Sequence, residues 1–233
     1  MTRRGDLTKK RLLDTAEQLY AERGVDAVSL RDINAAAGER NNAALYYHFH
    51  DRAGLLQALS DRHLPHLAAR QQELLEQAEL ENHLDDLRSM VEVIVRPSAE
   101  YIVAGPSQRA WLRLAADLAT SPAIASDDIS TASSAAAWTA GARIHSHLVT
   151  ECGLPEAFAR QRIWTAMESA MHAVASRARD EGTPGRRRSA PPVDLFTADL
   201  LDTTCAALSA PISRQTRRVL ATQGEQGRKS LPK

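Results

Sequence analysis

Apolar residues along this chain recur at intervals of three and four, in segments closed off by Gly, Pro, Ser and Asp, which is the spacing of helices with one buried face. Leu12, Ala16, Leu19 and Tyr20 form the stripe of a first helix from about Leu7 or Thr8 to Arg23, stopped by Gly24. Ser29 is placed to cap a short second helix, on which Leu30, Ile33 and Ala37 share one face and Gly38 supplies the left-handed stop. A third short helix is read from about Arg40 to Tyr47, with Leu45 inward. Asp51 caps a fourth, running to about Leu80 with Leu55, Leu56 and Leu59 inward; Pro65 predicts a kink or break in it.

Beyond residue 80 the same period continues through a series of further helices. Asn82 is read as the cap of a segment reaching about Arg96, after which Pro97 and Gly105-Pro106 isolate a short helix near Ala99 to Val103. The next spans about Ser107 to Thr120, with Trp111, Leu114 and Leu118 on one side. Residues 121–134 read as a polar, alanine-rich connection, followed by a helix from about Ala135 to Cys152 and another from Pro155 to about Glu181. Gly182 to Pro192 is a loop, and Val193 to Ser209 is the last firm helix, with more apolar residues than one inward stripe requires. β-branched and aromatic residues are sparse while Ala and Leu are abundant, so the fold class is all-α.

Composition narrows the picture. The 233 residues suffice for a small domain plus a larger one, and 43% hydrophobic with 25% charged residues is ordinary for a globular protein. No apolar run approaches the ~20 residues of a membrane span, and the basic N-terminus lacks an apolar signal core. We therefore expect a cytoplasmic protein. Cys152 and Cys205 have no metal-ligand spacing and read as free thiols. The net charge is zero, but Arg3, Arg4, Lys9, Lys10 and Arg11 face only Asp6 at one end, and Arg214, Arg217, Arg218, Arg228, Lys229 and Lys233 face only Glu225 at the other. Basic ends around an acidic body fit contact with nucleic acid at one end of the molecule; the C-terminal basic stretch reads as a disordered tail.

Two short helices about a glycine turn are the signature of a helix-turn-helix, whose second helix enters the DNA major groove. The string LYYHFHDRAGLL, Leu45 to Leu56, preceded by a capped helix ending in Ala-Ala-Gly, resembles the TetR family of bacterial transcriptional regulators. The likeness covers about the first quarter of the chain. The turn ERNNAA between Gly38 and Leu45 is one residue longer than the commonest family spacing, and Asn34 stands where the family carries a small apolar residue.

The resemblance implies an N-terminal three-helix DNA-binding domain (residues 1–50), a connecting helix (51–80), a larger helical ligand-binding and dimerisation domain (81–210) and the tail (211–233). It also implies a homodimer through the last two long helices. In that frame Asn41 and Asn42 are read as base contacts, since an Asn amide pairs bidentately with adenine N6 and N7. Arg40 is read onto guanine or a phosphate. Tyr46, Tyr47, His48, Arg52 and the helix start at Ser29 are read as phosphate contacts, and Arg3 and Arg4 as a minor-groove arm.

For a small effector the candidates are Tyr101, Trp111, Arg113, Trp138, His145, Trp164 and Met167, because aromatic and Met side chains with a few polar groups line apolar cavities. Enzyme motifs are absent: no Gly-rich phosphate loop, nucleophile elbow or CxxC occurs, and His145 and His147 diverge by ~200° on one helix. No cofactor or metal is expected. The function read from the chain is a DNA-binding regulator, a repressor released from a palindromic operator by a small apolar ligand. The alternative is a helical protein–protein module that keeps the fold without operator binding.

Overall fold

The computed structural model describes residues 3–39, 43–120, 134–187 and 190–229, and among these the regular structure is entirely helical. Three helices, α1 (Arg3–Arg23), α2 (Leu30–Ala36) and α3 (Ala43–Phe49), form the head. The long α4 (Arg52–Leu80) leads from the head into a body made of α5 (Leu87–Ala104), α6 (Pro106–Thr120), α7 (Ala135–Thr150), α8 (Glu156–Glu181), the single turn α9 (Pro184–Arg187) and α10 (Val193–Ser209). A last helix, α11 (Arg214–Lys229), follows.

Two apolar cores hold these elements. In the body, α5 is the central helix: Met90, Val91, Val93, Val95, Ala99 and Ile102 are all buried, on more than one side, among α4, α7, α8 and α10, as expected of a helix wrapped by others. The head core joins Leu12, Ala16 and Tyr20 of α1 to Ile33, Leu45, Phe49, Leu55 and Leu59. It is completed by Trp111, Leu114 and Leu118 of α6, which packs along α1. The head core therefore crosses the boundary read at residue 50 or 80, because the two seven-residue helices α2 and α3 leave one side of α1 uncovered.

Several boundaries differ from those read in the sequence. α1 begins at Arg3, so Arg3 and Arg4 belong to a helix instead of a free arm; Asp6 in its first turn complements the positive helix end. α4 runs unbroken through Pro65 and α5 through Pro97. A mid-helix proline costs about 3 kcal/mol locally, and the flanking apolar burial on the same helices offsets it. Asp86, whose carboxylate accepts from the Ser89 amide at 2.8 Å, caps α5. Asn82 instead takes a left-handed φ of 59° just past α4, a conformation that Asn tolerates well. The stretch read as a disordered tail forms α11, started by the Ser213 hydroxyl accepting from the Thr216 amide at 3.1 Å and built from the helix formers Arg, Gln, Ala and Leu.

The corner between α3 and α4 is tight. His50 is left-handed at φ 62°, Asp51 caps α4 by accepting from the Gly54 amide at 2.8 Å, and a Cβ on Gly54 would overlap the Phe49 carbonyl. Gly54→Ala should therefore push α3 away from α4 and destabilise the head by about 1–3 kcal/mol. Thermal unfolding followed by circular dichroism checks this, and a variant as stable as the parent would show that the corner has room.

Candidate nucleic-acid interface

The exposed end of the head is built from α2 and α3. Ser29 and Asp32 form a reciprocal cap at the start of α2: the Asp32 amide donates to Ser29 Oγ at 3.2 Å, while the Ser29 amide donates to Asp32 Oδ2 at 2.9 Å. The Ser29 hydroxyl donates to the same oxygen at 2.6 Å. The amide that the sequence offers to a phosphate is thus already engaged by Asp32. The Ser29 bonds hold the Asp32 carboxyl below its ordinary value of 3.8. Gly38 closes α2 with a φ of 72°, as its position predicts.

On α3 the side chains divide by face. Leu45 and Phe49, one turn apart, are fully buried, whereas Tyr46 and Tyr47 are 55% and 76% exposed. His48 is half-buried and edge-on to Tyr47 at 5.1 Å, its Nδ1 enclosed without a hydrogen-bond partner. The two tyrosines thus project outward, each with a phenolic hydroxyl able to meet a phosphate. Arg40, Asn41 and Asn42 lie outside the described residues, and α3 begins at Ala43.

Arg52, read as a phosphate contact, turns back into the head. Its guanidinium donates to the Val25 carbonyl, lies 3.7 Å from Asp26 Oδ1 and sits over the Tyr20 ring at 5.9 Å. It ties the start of α4 to the α1–α2 loop. Arg11, which the sequence reading leaves as one charge among several, pairs with Glu39 in the α2–α3 turn and so fixes that turn to α1. Glu17, Arg62 and His63 are not singled out by the sequence reading either. A signal for two of them exists, because Glu17 is four residues from Leu13 and His63 is four from Leu59, polar side chains on apolar stripes.

The seven effector candidates do not converge. Trp138 and Trp164 are 71% and 62% exposed. Trp111 is in the head core, stacked on His63, and Tyr101 is edge-on to the same ring. His145 meets the Glu156 carbonyl at 3.3 Å, and Met167 packs on the body core. Arg113 is half-buried with its Nε unbonded; burial and the nearby Arg179 hold its acidity above that of a free guanidinium. A groove of about 500 Å³ lies elsewhere, between α8 and α10. Its lining is mostly small or hydroxylic, including Thr165, Ala166, Ser169, Ala170, Thr203 and Ala207. None of the seven candidates lines it. Among the described residues no helix is long and apolar enough to cross a membrane, and no cluster of metal-binding side chains occurs.

A capped helix, a glycine turn and a second short helix with an exposed aromatic face, all on an α1 scaffold, define a helix-turn-helix domain. Residues 12–59 match the family of bacterial regulatory proteins, tetR family, so this part of the chain is a TetR-type helix-turn-helix domain. Over 102 residues it is 30% identical to a probable HTH-type transcriptional regulator, ArpR, of Pseudomonas putida. It is 29% identical over the same length to the HTH-type transcriptional regulator TtgR, also of Pseudomonas putida. Each match takes in 44% of this chain and 46% of the relative, so the chain spans about half the length of the curated relatives it matches. Among solved structures the fold is like that of NalD, the secondary repressor of the MexAB-OprM multidrug efflux pump in Pseudomonas aeruginosa. The TM-score is 0.54 over 88% of this chain and 98% of that one, at 18% identity.

The Asp32 cap carries a pH dependence. Since its folded pKa is depressed, its stabilising effect is present above 3.8 and is lost as pH falls through the depressed value. Ser29→Ala is expected to cost about 1 kcal/mol at neutral pH and progressively less in acid. Chemical denaturation of both proteins from neutral pH downward measures this; a difference that stays constant into acid would assign the loss to the hydroxyl alone.

Proposed function

We propose that this protein is a DNA-binding transcriptional regulator that presents α3 to the major groove of an operator. The observation that carries the reading is the outward projection of Tyr46 and Tyr47 from a helix whose other face, Leu45 and Phe49, is locked into the head core. The basic residues of α1 and the exposed Arg23 and Arg31 supply the attraction to phosphate that such a surface needs. Asn41 and Asn42, immediately before α3, remain the residues assigned to base contact, with Arg40 beside them.

Two copies of the chain would pair through α8 and α10. Support comes from the groove between these helices, whose small side chains allow close approach, and from the exposed Trp164 and Leu195 nearby on the same two helices. A two-fold dimer places two α3 helices about one DNA turn apart, ~34 Å, and so reads a palindrome. Repression relieved by a small apolar effector completes the reading. Linkage requires that effector to bind the DNA-incompetent arrangement more tightly.

Fluorescence anisotropy on the upstream intergenic DNA, against a scrambled duplex and over a salt series, tests the reading. Sequence-preferring binding is expected, with a slope that steepens by ~0.9 for each phosphate neutralised. Binding that ignores sequence, on this duplex and in a selection from genomic fragments, would favour the protein–protein module instead. Within a binding protein, Tyr46→Phe should weaken affinity nearly uniformly across operator variants, whereas Asn42→Ala should relax preference at one base pair by ~1–3 kcal/mol. Uniform loss for Asn42→Ala would make that residue a phosphate or structural contact. For the dimer, Thr165→Arg or Thr203→Arg places a charge in the groove and should convert the protein to a monomer in sedimentation velocity. A variant that stays dimeric would move the interface elsewhere.

A further inference from the structure

The second half of α4 and the turn after it carry one sign of charge. Between Arg70 and Arg88 the chain has no lysine or arginine, while Glu73, Glu76, Glu79, Glu81, Asp85 and Asp86 are all exposed. Glu73 is paired with Arg70, Asp85 with Arg143, and Asp86 is engaged as the α5 cap. Glu76 and Glu79, three residues apart and so on one face of α4, meet no cation among the described residues. Beside them Leu80 is 84% exposed.

α11 is the complement. Arg214, Arg217 and Arg218 are exposed, recur at the same helical spacing and meet no carboxylate among the described residues. Val219 next to them is 52% exposed. Four residues separate α11 from α10, and Ile212 among them packs on the body core. Beyond that anchor α11 makes no extended packing with any other helix, its own α4 included. Sixteen residues with Gly224 and Gly227 among them are marginal as a helix alone in water, so α11 gains from a surface to lie on.

Both features sit at one end of the body. Ser107, just past the end of α5, bonds Glu17 of the head at 2.5 Å. The start of α5 therefore lies ~25 Å further out along that helix. α10 runs back along α8, from Pro191 at Arg177 to Ala210 at Arg162, and the Arg88–Asp202 pair ties the start of α5 to its second half. The acidic corner and the root of α11 thus share the end away from the head, and this end faces away from a duplex held at α3. α11 has no aromatic residue and only Val219 and Leu220 as large apolar side chains, too little for a helix that lies on a membrane.

We propose that α11 is a basic arm that lies on the acidic second half of α4 of another copy of this chain, its arginines meeting Glu76 and Glu79 while Val219 covers Leu80. Symmetry repeats the contact, so each copy gives one arm and receives one. The contact lies outside the α8–α10 groove and depends neither on that groove nor on operator binding.

Sedimentation equilibrium of the full chain, with two charge-reversed proteins, tests the arm. One carries Arg214→Glu and Arg218→Glu, the other Glu76→Lys and Glu79→Lys; all four positions are exposed, and circular dichroism checks that both proteins stay helical. At low salt each alone should self-associate about ten-fold more weakly than the parent, and the parent itself should weaken as salt rises. An equimolar mixture pairs each reversed arm with a reversed α4, and should recover the parent's association. A parent that is monomeric throughout, reversed proteins that associate like the parent, or a mixture no tighter than its components would each overturn the arm. Unchanged association with weaker binding to a random duplex would overturn it too, and would assign α11 to nucleic acid. The mixture reads only charge exchange between α4 and α11, so a failed operator or a failed groove dimer leaves its result standing.

Discussion

The head of this protein cannot close its own core. Leu12, Ala16, Leu19 and Tyr20 of α1 present a stripe that α2 and α3, of seven residues each, cover only in part, and the remaining side is filled by Trp111, Leu114 and Leu118 of α6. Apolar area left in water is unfavourable in proportion to its extent, so the packing of α6 on α1 stabilises the head. The head and the larger helical part are thereby joined through α6 as well as through the connecting helix α4.

Within the head, short-range contacts make α2, α3 and the start of α4 one rigid piece. The Ser29–Asp32 cap sets where α2 begins, Arg11 pins the α2–α3 turn through Glu39, and the left-handed His50 with the Gly54 corner sets α3 against α4. Arg52 then ties α4 back to the α1–α2 loop. Charges that the chain's composition suggests for DNA are partly spent on this internal bracing. What remains outward is aromatic as much as basic, with Tyr46 and Tyr47 the most prominent side chains of α3.

Between α8 and α10 lies a groove of mostly small residues, lined also by Arg162, which bonds the Leu208 and Ala210 carbonyls at 2.9 and 2.6 Å. Its alanines and hydroxyls suit close helix–helix contact better than they suit a deep cavity for a drug-sized molecule.

Local chemistry was readable in the chain, and the positions that depended on it were legible. The 3–4 periodicity, the Ser29 and Asp51 caps, the Gly24 and Gly38 stops, and the aromatic string from Leu45 each act within a few residues of themselves, so the sequence determined an all-α fold with a helix-turn-helix at its start. Only tertiary structure decided what depends on distant partners. Pro65 and Pro97 remain inside helices because burial of the whole element outweighs a local penalty. Trp111 and Tyr101, which look like pocket aromatics, flank His63 because α5 and α6 bring them there. Arg52 faces inward because the Val25 carbonyl is within its reach. Glu17 acquires its partners from α4 and α6, 45 and 90 residues away along the chain. A carboxylate on an apolar stripe announces that something must meet it; only the packed molecule says what.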